Sequence, residues 1–234
     1  MSTNAEIAIV GTGKVGSALA EGLRRVGYQP QTAGHDPGAM KAAVRGAEIV
    51  ILAVPWLSLD DVLAVIRDDL ATRIVVDVTN PLTEDRQLAL GFSTSGAEEL
   101  QKKLPHSTVV KAFNTVFAQT MTSGKAQGQT LTTFVAGDDG EAKSKILLLA
   151  SSIGFEAVDA GPLRQARLLE PLSYLNIQLG HLQGFGTDAG FRFVHADQSA
   201  SATTDPRDPP VWYQPESGQA GARDPQPAGQ ASGR

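Results

Sequence analysis

The chain has no cysteine. That absence excludes disulfides, thiolate metal sites and a cysteine nucleophile. Positive charge is not in excess either, since 20 Lys and Arg against 25 Asp and Glu leave a net charge of −5. There is accordingly no electrostatic basis for binding nucleic acid or an anionic membrane surface. No apolar run approaches the length of a membrane span. Met1 to Glu6 holds no basic segment followed by an apolar one, so no secretory leader is expected and the cytoplasm is the expected location. No internal repeat is present, and His181 has no partner at metal-ligand or triad spacing. What remains is the composition of a soluble globular protein, 41% hydrophobic and 19% charged, and 234 residues suffice for one or two domains with a substantial core.

Against these absences stands one strong local pattern. Ile7-Ala8-Ile9-Val10 reads as a buried strand and runs directly into Gly11-Thr12-Gly13-Lys14-Val15-Gly16. An apolar stripe follows at Val15, Ala18, Leu19, Gly22, Leu23 and Val26, the spacing of one helix face. A G-x-G-x-x-G between strand and helix predicts dinucleotide binding. Gly11 permits a tight turn, Gly13 lets a pyrophosphate approach the backbone, and Gly16 lets helix and strand pack closely. The helix N-terminus offers N–H groups and the positive end of its dipole to the phosphates.

Strand-like and helix-like segments alternate beyond this point. Strands are expected at Gln31–Gly34, Glu48–Val54, Ile74–Val78, Thr108–Phe113, Leu131–Ala136 and Glu156–Val158. Helices are expected from Ser58, where Ser58-Leu59-Asp60-Asp61 resembles a capping box, around Ala97–Leu104, and across Ala142, Ile146, Leu149, Ala150 and Ile153. Apolar strands alternating with helices imply an α/β fold, a doubly wound parallel sheet covered on both faces. Residues 196–234 contain six of the thirteen prolines and almost no large apolar side chains, so a disordered tail is expected there, with Val211-Trp212-Tyr213 as its one apolar island.

In an open parallel sheet, ligands bind beyond the carboxyl ends of the strands. Those ends read Gly11-Thr12-Gly13, Gly34-His35-Asp36, Val54-Pro55-Trp56, Thr79-Asn80-Pro81 and Phe113-Asn114-Thr115, all turn formers and small polar groups. Gly11, Thr12, Gly13, Val15 and Gly16 are expected to cradle a pyrophosphate. Lys14 also stands in reach of it, although a lysine in a first turn is more ordinarily solvated. His35 and Asp36 are placed to meet the adenosine ribose, and Val54, Pro55, Asn80, Pro81 and Asn114 the route to the nicotinamide. Trp56 is expected to pack rather than cover the groove, and Asp77 to support the Thr79–Asn80 loop rather than act as a base. His181 is expected to be a hydrogen-bonded structural histidine, with lining of the acceptor pocket as its less favoured alternative.

At these loops the chain resembles the NADPH-dependent coenzyme F420 reductase family. The resemblance is carried by Gly11 to Gly16, Ala53-Val54-Pro55, Val76 to Pro81, Val110 to Thr115, Val135 to Asp139 and Asp159 to Leu172. It runs in register from about residue 5 to residue 194, and the segment beginning Gly161-Pro162-Leu163 is its most distinctive part. The resemblance implies a Rossmann domain over 1–160, a small helical part over 161–195 that completes an acceptor pocket, and often a homodimer; the tail over 196–234 lies outside it. It also implies an oxidoreductase that passes a hydride between NADP(H) and a small-molecule acceptor, with the deazaflavin F420 as a second substrate. Hydride transfer between two bound rings needs orientation and exclusion of water rather than a protein nucleophile, which agrees with the missing triad. Relatives serve other acceptors, STEAP-type metalloreductases among them, so a reductase of metal chelates or quinones stands beside this reading, as does a non-catalytic dinucleotide sensor.

One departure concerns the cofactor. The family tends to place Gly-Ser-Arg-Asp-Pro after the second strand, with Ser and Arg holding the 2′-phosphate of NADP, whereas this chain has Ala33-Gly34-His35-Asp36-Pro37. Histidine lacks the arginine fork. Asp36 stands at the spacing of the acid that binds the ribose hydroxyls of NAD, or alternatively opens an Asx turn before Pro37. The resemblance favours NADP and the local chemistry admits NAD.

Overall fold

The structure, a computed structural model, describes residues 6–195. The expected tail and its apolar island lie outside the described residues. One compact unit runs to Phe193.

Seven strands form its sheet in the order β2-β1-β3-β4-β5-β8-β9. The first five are β1 (Ile7–Val10), β2 (Gln31–Ala33), β3 (Ile49–Leu52), β4 (Ile74–Asp77) and β5 (Thr108–Lys111), and all run parallel. A small hairpin, β6 (Lys125–Ala126) and β7 (Gln129–Thr130), precedes β8 (Thr132–Gly137) and β9 (Glu156–Gly161). Here the all-parallel expectation is corrected, because β8 runs antiparallel to β5 while pairing parallel with β9. Alternation and burial look the same for a strand of either direction. Direction is set by the connection, and the only helix between β5 and β8 is the short α5 (Ala118–Met121). Reversed strands at the edge of a parallel sheet are a common α/β variation.

Side-chain alternation along the strands divides the core in two. Ile7, Ile9, Ile49, Ile51 and Val76 face α1 (Lys14–Arg25) and α6 (Gly140–Ile153). Ala8, Val10, Val50, Leu52 and Val75 face α2 (Pro37–Arg45), α3 (Leu59–Ile66) and α4 (Gly96–Lys103). The capping box expected at Ser58 does not form. A 3₁₀ turn, Trp56–Ser58, already starts the helix, and Ser58 makes no side-chain cap bond. The reciprocal cap lies instead at α4, where Ser95 Oγ accepts from Glu98 N and donates to Glu98 Oε2.

The last helix, α7 (Ala166–His181), contains Pro171. Proline has no N–H for the carbonyl four residues back. That carbonyl, Arg167 O, accepts from Phe92 N at 3.2 Å and so ties the β4–α4 loop to α7.

Candidate active site

The β1–α1 turn is built around two glycines. Gly11 has φ +111°, and a Cβ there would lie 2.2 Å from Ala53 O. A Cβ on Gly16 would lie 2.0 Å from Gly11 O, so the helix seats against the strand end only without a side chain. Gly13 differs, because a Cβ would meet nothing within 4 Å. It occupies the N-cap of α1, where no side chain caps the helix and the first turn carries no acid. By contrast, α2, α4 and α6 are closed by the Asp36, Ser95 and Asp139 side chains.

Two cavities open at the strand ends, and consecutive residues of this turn line one and the other. Gly11, Thr12 and Gly13 line the first, of about 670 Å³, together with Gly34, His35 and Pro55. Lys14 and Val15 line the second, of about 370 Å³, together with Asn80 and Asn114. The remaining expected site residues line neither. Gly16 packs, Pro81 is buried, and Val54 is part-buried beside Gly11. Asp36 Oδ1 accepts from Ala39 N at 2.7 Å, so that carboxylate serves as the cap of α2. The carboxylate that does line the first cavity is Asp61, from α3.

The second cavity rests on two joined loops. Phe113 has φ +60°, an uncommon conformation for a bulky residue, and it turns the chain after β5. Asn114 Nδ2 then donates to Asn80 Oδ1 at 3.1 Å and to Leu169 O at 3.0 Å, while Asn80 Nδ2 donates to Asn114 O at 3.2 Å. From α7, Ser173 Oγ donates to Asn114 O at 2.6 Å and Asn176 Nδ2 to Thr115 O at 3.1 Å. Buried polar atoms are ordinarily paired. Yet Thr79 Oγ1, Asn114 Oδ1 and Thr115 Oγ1 are buried here without a partner, three of five such side-chain atoms among the described residues.

Beneath these loops lies a buried ionic cluster. Lys111 Nζ reaches Asp77 Oδ2 at 2.9 Å, Glu170 Oε1 at 2.8 Å and Thr79 O at 2.7 Å, with all three charged side chains fully buried. Asp77 Oδ1 accepts from Thr79 N at 2.8 Å, the loop-supporting role expected of it. Glu170 accepts from Gly96 N at 2.8 Å and Ala97 N at 3.2 Å at the start of α4, where the helix dipole favours a carboxylate. Burial, joined by the Asp77 charge, pushes the Glu170 carboxyl up against the pull of Lys111. Burial works against the Lys111 ammonium, but Asp77 and Glu170 outweigh it and raise its proton affinity.

Sequence reasoning missed Lys111 and Glu170 as partners, and for His181 it favoured the structural role over the pocket-lining alternative. That ring lines the second cavity and stands edge-on to Phe117, 5.7 Å between centroids, rather than serving as a hydrogen-bonded core group. A lysine inside the apolar Val109–Phe113 run and a carboxylate within Leu168-Leu169-Glu170-Pro171 were the signals available. Trp56 packs against the α3–α4 side of the core.

Residues 33–81 match the family model described as NADP oxidoreductase, coenzyme F420-dependent. The chain is 32% identical over 180 residues to metalloreductase STEAP3 of Rattus norvegicus, covering 71% of this chain and 36% of that protein. It is 31% identical over 145 residues to the F420-dependent NADP reductase of Methanocaldococcus jannaschii, covering 59% of this chain and 65% of that protein. The chain thus spans about a third of the first relative and just under two thirds of the second. A solved structure from an Arthrobacter species, provisionally assigned as an F420-dependent NADP reductase, superposes with a TM-score of 0.75 at 28% identity, covering 82% of this chain and all of that one. With its Rossmann-type sheet and the G-x-G-x-x-G turn on β1, the chain is similar in sequence and fold to the F420-dependent NADP oxidoreductase family.

Proposed function

We propose that the protein is an NADP(H)-dependent oxidoreductase that passes a hydride between the nicotinamide and a conjugated acceptor of the deazaflavin (F420) type. The observation that carries this reading is that Gly13 and Lys14, consecutive residues at the uncapped start of α1, line the two different cavities. Open space beyond Gly13 and unpartnered acceptors around Asn114 fit a dinucleotide laid across that turn, adenosine in the first cavity and nicotinamide toward the second.

The nicotinamide supplies the hydride when bound. The protein's residues position it. The α1 amides hold the pyrophosphate, His35 faces the adenosine ribose, and the Asn80–Asn114 pair fixes the nicotinamide end. Diversion of Asp36 into the α2 cap leaves it outside the first cavity's lining, which favours NADP over NAD.

A second reading, reduction of metal chelates or quinones, is supported by the likeness to STEAP3. We also propose a homodimer through α7. Leu168, Leu175 and Leu182, seven residues apart, are 57%, 50% and 70% exposed, and Phe92, anchored beside Arg167, is 73% exposed. Sedimentation velocity at several concentrations tests the dimer, and a single monomeric species overturns it.

Stopped-flow mixing of the protein and NADPH or NADH with F420, a soluble quinone and a ferric chelate separates the readings. Oxidation of NADPH by F420 is the expected outcome. Turnover with the quinone or chelate alone favours the second reading, and tight binding without turnover favours a dinucleotide sensor.

A further inference from the structure

Transfer of a hydride to a conjugated ring leaves the ring one proton short. We infer that His181 supplies that proton and is the acid catalyst of the second cavity, an inference that rests on the oxidoreductase reading.

The ionisable side chains in the lining of that cavity are Lys14, Arg86 and His181, with no carboxylate among them. Such a lining stabilises negative charge as it develops on an acceptor. Lysine and arginine hold their protons near neutrality, whereas imidazole is the side chain that exchanges one there. The fold also fixes the ring. Gly180 lets the end of α7 settle onto Phe117, since a Cβ there would lie 2.6 Å from Phe117 Cζ and 2.8 Å from Gly186 O. His181 then meets Phe117 edge-on at 86° while remaining exposed, so water can return its proton after each turnover.

The balance is closed. A C–H bond breaks on the donor, a new bond to that hydrogen forms on the acceptor (C–H in a deazaflavin, O–H in a quinone), and the acceptor gains two electrons. The acceptor's displaced π pair settles on a ring nitrogen or oxygen. An imidazolium N–H of His181 protonates that atom, and solvent restores the imidazolium. The acceptor class follows from this chemistry: a flat conjugated system in which the atom receiving hydride communicates with a basic heteroatom, as in quinones and deazaflavins.

The test uses the full chain with NADPH and either F420 or a soluble quinone. His181→Ala should leave NADPH affinity within about two-fold and slow acceptor reduction roughly 100-fold, the scale of general acid catalysis. Imidazole added to the buffer should recover part of the rate, and His181→Gln, which offers a hydrogen bond but no proton, should remain slow. A His181→Ala rate within a few-fold of the parent overturns the inference. So does a slow variant that imidazole does not rescue, or recovery by glutamine, since each assigns the ring to packing or positioning. A parent protein that binds NADPH but reduces no acceptor overturns the oxidoreductase reading and this inference together.

Discussion

The two cavities are assembled in opposite ways. The first draws on residues 11–65, the ends of β1, β2 and β3 and the helices that follow them. The second spans residues 14–187 and closes only when α7 returns to the ends of β4 and β5. A site made of consecutive turns is held by backbone geometry, as at Gly11 and Gly16. A site made of distant segments needs side chains to hold it, and here these are the Asn80–Asn114 pair and the buried Lys111 cluster. The contrast predicts that the two cavities fail separately.

Lys111→Met should have the largest effect. It leaves the buried carboxylates of Asp77 and Glu170 without their cation and releases Thr79 O. Breaking a buried pair from one side costs about 3–5 kcal/mol. Urea unfolding should show a loss of that order, shrinking at acid pH as the orphaned carboxylates take up protons. A loss under about 1 kcal/mol would show that the cluster does not hold the second cavity together.

Gly13→Val addresses the first cavity alone. Its side chain would project into open space, so the melting temperature should barely move while NADPH affinity falls by roughly 100-fold, about 2.7 kcal/mol. A folded variant with parental affinity would remove the pyrophosphate from the α1 turn.

How much of each region was legible in the sequence follows from the same contrast. The glycine turn is a local pattern whose spacing encodes its geometry, and the strand ends were found because buried strands are apolar and their ends are not. Lys111 and Glu170 are separated by a little under a third of the described chain, and no periodicity links them. Asp36 was legible as a residue but not as a role, because the ribose acid and the helix cap compete for one carboxylate and only the closed Ala39 N–H bond decides between them. The reversal of β8 was invisible because it resides in the path of the connection rather than in the strand.

His35→Arg sharpens the first cavity. An arginine there offers a fixed charge and a bidentate fork to a 2′-phosphate. A gained charge-assisted hydrogen bond of about 1.5 kcal/mol corresponds to roughly a ten-fold rise in preference for NADPH over NADH. Fluorescence titration of both nucleotides measures it. An unchanged ratio would place the 2′-phosphate away from residue 35.

Glu98→Gln should have the smallest effect, and it probes the support of the second cavity from outside. Arg167 Nε and Nη2 reach Glu98 Oε2 and Oε1 at 2.8 and 2.7 Å, a bidentate pair that braces α7 against α4. The hydrogen bond from Arg167, opposed by partial burial and aided by Ser95, holds the Glu98 carboxyl below its ordinary range. A depressed carboxylate means that the folded state binds its proton more weakly than the unfolded chain does. The contribution is therefore fully present above the ordinary carboxylate range and is lost as pH falls through the depressed value. With the arginine side chain 38% exposed, solvent screening limits the pair to about 1 kcal/mol or less. Parent and variant should thus differ slightly in urea midpoint at pH 7 and converge under acid conditions. A difference that persists unchanged well below the carboxylate range would assign the loss to the Ser95 cap rather than to the brace on α7.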